Sequence, residues 1–398
     1  MAFKAQLSAD GIELEPNTLK DAMRGTDWGL WLEAMREEMS SHQEMGTWAR
    51  LVAQGFSQTL GVDYEETYAP VTRLINIRTL LALAVYLGWH VHQLDVVTAY
   101  LYGKLDKPIY MRQPPLFQAP GKEHLVCRLH RALYGLKQAG REWYFTLRQA
   151  LVELGFSPTT VDPAVFTYGS GDTALIVAVY VDDVLVFSRN LTDITAFKSN
   201  FAKRFNMKDQ GEIGQFLGIN IERGADGQSY LISQSAYITS MLDRFNYKNL
   251  KPSPSPLDPK QRLVPYEGQA SEEDIKLFQA MIGCLLWLAQ ASRPDLAFAV
   301  ALLSRHSKNP GPVHFGVLKR VMRYVAGTVD FKLQIAAHSD SQITAYSDAD
   351  FGGDHSAKST SGWCISVHGA TVGWGAKLQT LVSDSTTQAE VVAVWQTT

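Results

Sequence analysis

Cysteine is scarce in this chain. The three present, Cys127, Cys284 and Cys364, are far apart and lack metal-ligand spacing. That excludes a disulfide scaffold or a zinc cage and points to a reducing compartment. Long apolar runs are also missing, and none approaches the roughly 20 residues of a membrane span. The opening Met-Ala-Phe-Lys-Ala-Gln lacks the profile of a secretory signal, so secretion is not expected. Neither sign of charge is in large excess: Lys+Arg number 37 and Asp+Glu 40, for a net charge of −3. The molecule as a whole therefore does not attract a polyanion, and any nucleic-acid footprint must be local. There is no internal repeat. What is plentiful is core material: 46% of 398 residues are hydrophobic and 19% charged, enough for two or three folded domains.

Periodicity and turn residues set out the elements. An amphipathic helix is expected over 28–39, where Trp28, Trp31, Met35 and Met39 recur at helical spacing. Residues 49–56 read as a strand ending at Gly55. A helix over 73–89 ends at Gly88, and 91–100 reads as a strand leading into a short helix, with Asp95 at the strand end. A second long helix spans 136–154 and stops at Gly155. The apolar runs 174–179 and 184–187 form a hairpin with Tyr180-Val181-Asp182-Asp183 at its tip. Further helices are expected over 194–205, 237–245, 273–291, 294–305 and 313–325. A strand pair covers 216–221 and 230–232. Lys251-Pro252-Ser253-Pro254-Ser255-Pro256 is the clearest linker, since alternating proline forbids helices and ladders. Short strands follow at 343–346, 362–367 and 371–374, with a helix from Ser385 onward.

A lone Asp at a strand end or turn is ordinarily a solvated turn residue. Asp95, Asp182 and Asp183 become more than that if their strands are neighbours. Three carboxylates would then converge, and they could not all ionise without a hard cation. Oxygen-only ligation favours Mg²⁺ or Mn²⁺, and a two-metal carboxylate site suits phosphoryl transfer. Two basic clusters stand out, Arg128/Arg131/Lys137/Arg141 and Lys319/Arg320/Arg323. The first reads equally as a solvated helix face; the second lies on neighbouring turns of the helix expected over 313–325.

Gln93-Leu94-Asp95-Val96-Val97-Thr98-Ala99-Tyr100-Leu101-Tyr102-Gly103 resembles the first catalytic motif of copia-type LTR-retrotransposon reverse transcriptases. In the family's order come Ala49 to Ala53, Tyr64 to Pro70, Leu133 to Gln138, the Tyr180 to Asp183 box and Phe216 to Ile219. Ser292 to Asp295 and Arg320 to Tyr324 complete the series. The resemblance implies an α+β fold: a right-hand polymerase palm and thumb with reduced fingers, a connection segment and a partial RNase H-like α/β domain. It implies RNA-directed DNA synthesis, with Asp95, Asp182 and Asp183 as catalytic metal ligands. The primer 3′-hydroxyl would attack the α-phosphate of a dNTP. Arg50 would contact the triphosphate, Tyr100 would exclude a ribose 2′-hydroxyl, and Lys137 and Gln138 would line the nucleotide side. Leu217 and Gly218 would belong to the primer grip. Asp348 and Glu390, within Tyr346 to Asp350 and Ser385 to Glu390, match RNase H ligands. The implied partners are an RNA template, a DNA or RNA primer, dNTPs and other retroelement polyprotein products, without a membrane. The implied location is a cytoplasmic virus-like particle, with access to the nucleus allowed.

Domain boundaries follow: 1–48 an N-terminal helical segment, 49–250 the polymerase, 251–340 linker and connection, 341–398 the RNase H-like part. Three departures from the family pattern qualify this. Gly46-Thr47-Trp48 runs directly into Ala49-Arg50, where the family has several fingers strands and a lysine. Gly140 replaces proline, which puts a glycine in an expected helix interior at about 1 kcal/mol relative to alanine. The sequence ends before the later RNase H carboxylates, so no RNase H activity is expected. The alternative reading is an inactive retroelement relic that folds and binds nucleic acid.

Overall fold

The computed structural model describes residues 52–113, 118–248, 250–258, 261–336 and 343–397. The helix expected over 28–39 and Arg50 lie outside these. The chain forms two compact units, one of residues 1–70 and 97–155, the other of 71–96 and 156–398. The Pro-Ser stretch lies inside the second unit, not at a division between the two.

The second unit opens with α1 (Leu74–Leu87), which buries Ile77, Leu80, Leu81 and Ala84. Gly88, at φ +66°, closes it by donating its N–H to Ala84 and Val85 carbonyls, the left-handed termination that glycine permits. Its start has no cap of its own. The Asp162 carboxylate fills that role, accepting from Arg73 N–H (3.4 Å) and Asn76 Nδ2 (2.6 Å). Strand β1 (His90–Val96) follows.

The first unit then receives β2 (Lys104–Arg112), β3 (Val126–Arg131) and α2 (Ala139–Glu153). Strands β2 and β3 pair antiparallel over Ala53, Leu101, Ile109, Leu133 and Leu136. Their sequences are charged and β2 contains Pro108, so they carry no clear strand pattern. A two-stranded ribbon has only edges, where proline is tolerated. The strand expected over 49–56 is not formed in its described part. Residues 52–54 are irregular and Gly55–Ser57 is a 3₁₀ turn.

Back in the second unit come β4 (Ser157–Pro158), β5 (Val165–Tyr168), β6 (Leu175–Tyr180), β7 (Asp183–Ser188), α3 (Leu191–Ala202) and β8 (Met207–Glu212). With β1 they make a six-stranded sheet in the order β4-β5-β6-β7-β1-β8. Helix α3 starts three residues before the expected position, just after Asn190, a residue type that favours N-caps. Strand β8 is polar throughout and has no readable period. A four-stranded sheet, β12-β11-β10-β9, is built from β9 (Gln215–Phe216), β10 (Ile219–Arg223), β11 (Ser229–Ser233) and β12 (Leu333–Ala336). Helices α4 (Ser235–Arg244), α5 (Glu272–Ala291), α6 (Ala297–Ser304) and α7 (Pro312–Ala326) share a core of Ile238, Phe278, Leu285, Val300, Leu318 and Val321. Strands β13 (Ile343–Ala349), β14 (Thr360–Val367) and β15 (Ala370–Leu378) form a three-stranded antiparallel sheet, followed by α8 (Thr386–Thr397). The result is a mixed α/β architecture.

Helix α1 touches all three sheets of this unit. Its Ile77 and Leu81 share one core with Phe187 of the first sheet, Ile221 and Ile335 of the second, and Val367 and Val372 of the third. Arg78 reinforces the junction. Its Nε donates to Val372 O (2.6 Å) and its Nη1 to Gln290 O (2.8 Å) and Ala291 O (3.0 Å), the last carbonyls of α5. Its guanidinium lies 4.1 Å from the Trp374 ring centroid. Burial lowers its pKa to about 10, which still leaves it charged at neutral pH.

A second buried arginine interlocks the Ser292–Asp295 and Arg320–Tyr324 motifs. Arg293 donates to Asp295 through Nε (3.0 Å) and Nη2 (2.7 Å) and to Thr328 O through Nη1 (3.0 Å). Tyr324 Oη donates to the same carboxylate at 2.8 Å. Burial pushes the Asp295 carboxyl up, but the hydrogen bond and charge of Arg293 and the tyrosine hydroxyl outweigh it, and the net direction is down.

Two outcomes follow. Arg78→Met strands three carbonyls and should cost about 3 kcal/mol or more; a urea midpoint shift worth less than about 1 kcal/mol would count against the junction. Asp295 has a folded pKa below its unfolded value, so its stabilisation is present above about pH 4 and lost as pH falls through the folded pKa. The stability gap between wild type and Asp295→Asn should therefore be wide at pH 7 and narrow below about pH 4. A gap that does not change between those pH values contradicts this.

Candidate active site

The first sheet is organised around β1, which is flanked by β7 and β8. Six successive pairs run antiparallel from His90↔Ser188 to Asp95↔Asp183. Asp95 and Asp183 are thus direct cross-strand partners, and their side chains share a face. Like charges placed directly opposite are destabilising. The hairpin β6–β7 pairs Tyr180 with Asp183, which leaves Val181 and Asp182 as its two-residue loop. Val96 N–H donates to Asp182 O at 2.9 Å and ties that loop to the end of β1. All three aspartates are half-buried.

Val181 sits at φ +56°. A β-branched residue there is an outlier, held in place by the paired strands on both sides. The expected convergence is met in part. The register joins Asp95 to Asp183, and Asp182 occupies the adjoining loop. Among the described residues, no group of three or more His, Cys, Asp or Glu side chains is placed to hold a metal ion.

Gln93 has no role assigned from its motif, yet it belongs to this site. It lies two residues before Asp95, hence on the same face of β1. Its Nε2 donates to Asp183 Oδ1 at 3.0 Å. Its Oε1 is buried with no hydrogen-bond partner. The period-2 rule would have found it once Asp95 was chosen.

Leu217 and Gly218 form the loop between β9 and β10, where Phe216 pairs with Ile219. Both have positive φ, +53° and +74°. A two-residue hairpin loop with that pair of signs is a type I′ turn. Nothing lies within 4 Å of where a Gly218 Cβ would sit, so backbone conformation is what selects glycine here. The Tyr180 and Phe216 rings meet edge to face at 6.2 Å, which sets this turn beside the aspartate hairpin.

In the first unit, Tyr100 lies in a 3₁₀ turn, Ala99–Tyr102, and its ring is 4.4 Å from that of Tyr134. Gln138 is buried. Its Oε1 accepts from Gln58 Nε2 (3.0 Å) and its Nε2 donates to Asp63 O (3.1 Å). Lys137 is exposed, with its Nζ 3.2 Å from the Tyr64 hydroxyl. A Cβ on Gly135 would come within 2.2 Å of Ala53 O, and one on Gly55 would meet Gly135 backbone. The two glycines let these segments touch, and Ala53 N–H donates to Tyr134 O at 2.9 Å.

At the far end of the second unit, Asp348 is exposed on β13 opposite Gly362 of β14. Glu390 is half-buried on α8, which packs on β13 and β14. Gln379 anchors that helix by donating to Ala389 O (2.8 Å) and Ser361 Oγ (3.0 Å).

Fold and site define a mixed α/β protein whose central antiparallel sheet presents carboxylates at a strand end and on the adjoining hairpin. Residues 30–259 match the family model for reverse transcriptase (RNA-dependent DNA polymerase). The chain is 35% identical to the retrovirus-related Pol polyprotein from transposon TNT 1-94 of Nicotiana tabacum, over 96% of this chain and 32% of that protein. It is 37% and 36% identical to the Pol polyproteins from transposons RE1 and RE2 of Arabidopsis thaliana, over 88% of this chain and 24% of each. The chain therefore spans a third or less of these relatives. It belongs to the reverse transcriptase family, in the copia-type branch.

The departure at Gly140 takes on a different meaning in the structure. Helix α2 begins at Ala139 after the N-cap Gln138, so Gly140 is the second helical residue and not an interior one. First-turn N–H groups have no intrahelical acceptor. A Cβ here would meet only Ala69 Cβ, at an ordinary 3.5 Å. Gly140→Ala should accordingly stabilise the chain by about 0.4–1 kcal/mol, chiefly through the unfolded state. Thermal melting checks this, and a lowered midpoint would refute it.

Proposed function

We propose that this chain is an RNA-directed DNA polymerase of a retrotransposon, transferring nucleotides from dNTPs to a primer 3′-hydroxyl on an RNA template. The observation that carries the reading is the Asp95↔Asp183 register beside the Val181–Asp182 loop. A like-charge pair facing one side of a sheet calls for a cation. The donor set is carboxylate and amide oxygen, which fits a hard divalent ion such as Mg²⁺ or Mn²⁺. Asp95 and Asp183 would hold it, with Asp182 as the adjoining ligand. In a two-metal site, one ion would supply a lowered pKa for the attacking hydroxyl and the other charge neutralisation at the leaving oxygen.

The chain's own groups position the reactants. Gln93 donates to Asp183 Oδ1 and orients that carboxylate. Tyr100 would pack under the sugar and reject a 2′-hydroxyl, while Lys137 and Arg50 would meet the triphosphate. The Leu217–Gly218 turn would border the primer end. The six-stranded sheet with α1 and α3 serves as palm, α4 to α7 as thumb and connection, and β13 to α8 as an RNase H-like part holding Asp348 and Glu390. Template, primer and dNTPs are the partners, and a cytoplasmic particle is the setting.

Primer extension on an RNA template with Mg²⁺ and dNTPs tests the reading. Wild type should extend, and Asp182→Asn should lose about 10²-fold or more of the rate, on the scale of removing one electrostatic group from an active site. Salt-sensitive binding of primer–template without any extension would instead identify an inactive relic.

A further inference from the structure

Two loops of the second unit, 305–311 between α6 and α7 and 350–359 between β13 and β14, are joined through Asp354. Its carboxylate accepts from Arg305 Nη1 (3.0 Å), Ser356 N–H (3.0 Å) and Ser356 Oγ (2.6 Å), and it lies 3.1 Å from His355 Nδ1. Burial pushes the Asp354 carboxyl up, but the Ser356 and Arg305 hydrogen bonds and the His355 charge outweigh it, and the net direction is down. Arg305 Nη2 also donates to Thr360 Oγ1 at 3.1 Å. A guanidinium has five N–H donors, so Arg305 has some to spare.

The two loops border a cavity of about 320 Å³, whose lining includes Tyr266, Arg305, His306, Lys308, Asp354 and Lys358. That is the small end of the roughly 300–1,000 Å³ range of ligand pockets. The Tyr266 wall is fixed from behind. Asn309 Nδ2 donates to Tyr266 O (3.1 Å) and Gly268 O (2.8 Å), and its Oδ1 accepts from Ala270 N–H (2.9 Å). A Cβ on Gly268 or on Gly311 would come within 2.5 Å of the Tyr266 ring, so the ring is seated against both glycines.

Other polar groups of the lining are unspent. Among the described residues, neither Lys308 nor Lys358 makes an ion pair. His306 is 7% exposed, and its Nε2 is buried with no hydrogen-bond partner. Its ring stacks on that of His314 at 4.1 Å. His314 is committed at both nitrogens, to Gly311 N–H (2.8 Å) and Val264 O (3.0 Å). Burial first, then the charges of His314 and His355, lower the His306 pKa to about 4. Its ring is therefore uncharged at neutral pH and keeps one N–H donor. Arg305, Lys308 and Lys358 against Asp354 make three cations and one carboxylate, a net of +2 around the cavity.

We propose that this cavity binds a small phosphate monoester, with the phosphate on Arg305, Lys308 and Lys358 and the body of the ester against Tyr266. A phosphate monoester carries about −1.5 to −2 at pH 7, which balances the +2 of the lining. A single carboxylate would leave half of that charge uncompensated. Guanidinium and ammonium donors give phosphate oxygens charge-assisted hydrogen bonds, and the aromatic wall gives the rest of the ligand apolar contact. His306 would supply the neutral donor. Every residue named for the site lies outside 30–259, the stretch that matches the polymerase family, and the proposal does not depend on the polymerase reading.

The test is calorimetric titration of the full chain with phenyl phosphate and with inorganic phosphate, in the absence of divalent ions. Phenyl phosphate should saturate with a Kd of about 1 mM or tighter, and should bind more tightly than inorganic phosphate. Lys358→Gln should weaken it about tenfold, the loss of one charge-assisted hydrogen bond. Lys308 is exposed, so Lys308→Gln should weaken it only about two- to fivefold; this variant covers the case in which Lys358→Gln does not fold. His306→Phe keeps a ring on His314 and should weaken binding about two- to tenfold. No saturable binding of phenyl phosphate, or binding unchanged in both lysine variants, overturns the proposal. So does inorganic phosphate binding as tightly as phenyl phosphate, which would leave the aromatic wall without a role. Displacement of phenyl phosphate by a primer–template hybrid would give the cavity to a nucleic-acid strand and overturns it too. Primer extension by wild type is a separate readout, and none of these failures bears on it.

Discussion

The register between β1 and β7 is the constraint on which the site rests. Side chains alternate along a strand, so a slip of one residue would send Asp95 to the opposite face. What prevents the slip is apolar burial. Leu94, Val184, Leu185 and Val186 are fully buried in the centre of the sheet, and each is worth roughly 1.5–3 kcal/mol. The like-charge pair at the end costs about 0.2–1 kcal/mol by comparison. Burial therefore wins by a wide margin, and the sheet holds two carboxylates together that would separate if they were free to do so. Gln93, with its amide on Asp183 Oδ1, offsets part of that cost and fixes a rotamer.

Two hairpin tips carry backbone strain. Val181 and Leu217 both adopt positive φ, a conformation costing on the order of 1–3 kcal/mol for residues other than glycine. Each is the first residue of a two-residue loop, and the two loops are coupled through the Tyr180–Phe216 ring contact. Strain of this kind persists only where the surroundings over-determine it. Paired strands and a shared core do so here. Arg78 extends the same rigidity to the third sheet, because its three carbonyl partners belong to α5 and β15. Helix α1, packed on the six-stranded sheet, is thereby fixed to the end of α5 and to β15 by one guanidinium.

Much of this was legible beforehand. The helix 74–87, the strand 90–96 with Asp95 near its end, and the hairpin around Tyr180–Asp183 all follow from period and turn chemistry. Strands β2, β3 and β8 are not legible: Pro108 and scattered charges break up the apolar residues of β2 and β3, and β8 is polar or glycine after Met207. The segment 49–56 reads as a strand from composition, yet Ala53 bonds through its backbone to Tyr134 of the Leu133–Gln138 loop beside the Gly55–Gly135 approach. That is a tertiary contact which no local rule contains. Gln93 is within reach of the sequence through its period-2 relation to Asp95, but a buried glutamine on a strand has no chemistry until its neighbour is known.

The stretches that resemble the family divide by what their polar groups do. Gln138 is buried with both ends of its amide engaged by Gln58 and Asp63, and Arg293 is held among Asp295, Thr328 and Tyr324. Replacing either removes hydrogen bonds from half-buried partners, at about 0.5–1.5 kcal/mol for a neutral bond and more for a charged one. That is sufficient reason for such a residue to be where it is, without any contact to a substrate. Asp95 and Asp183 are a different case: they are cross-strand partners of like charge, tied to the fold through the Gln93 amide on Asp183 Oδ1. A motif residue that stabilises the fold is explained by the fold. A like-charge cross-strand pair is held where it is by the far larger burial term beside it.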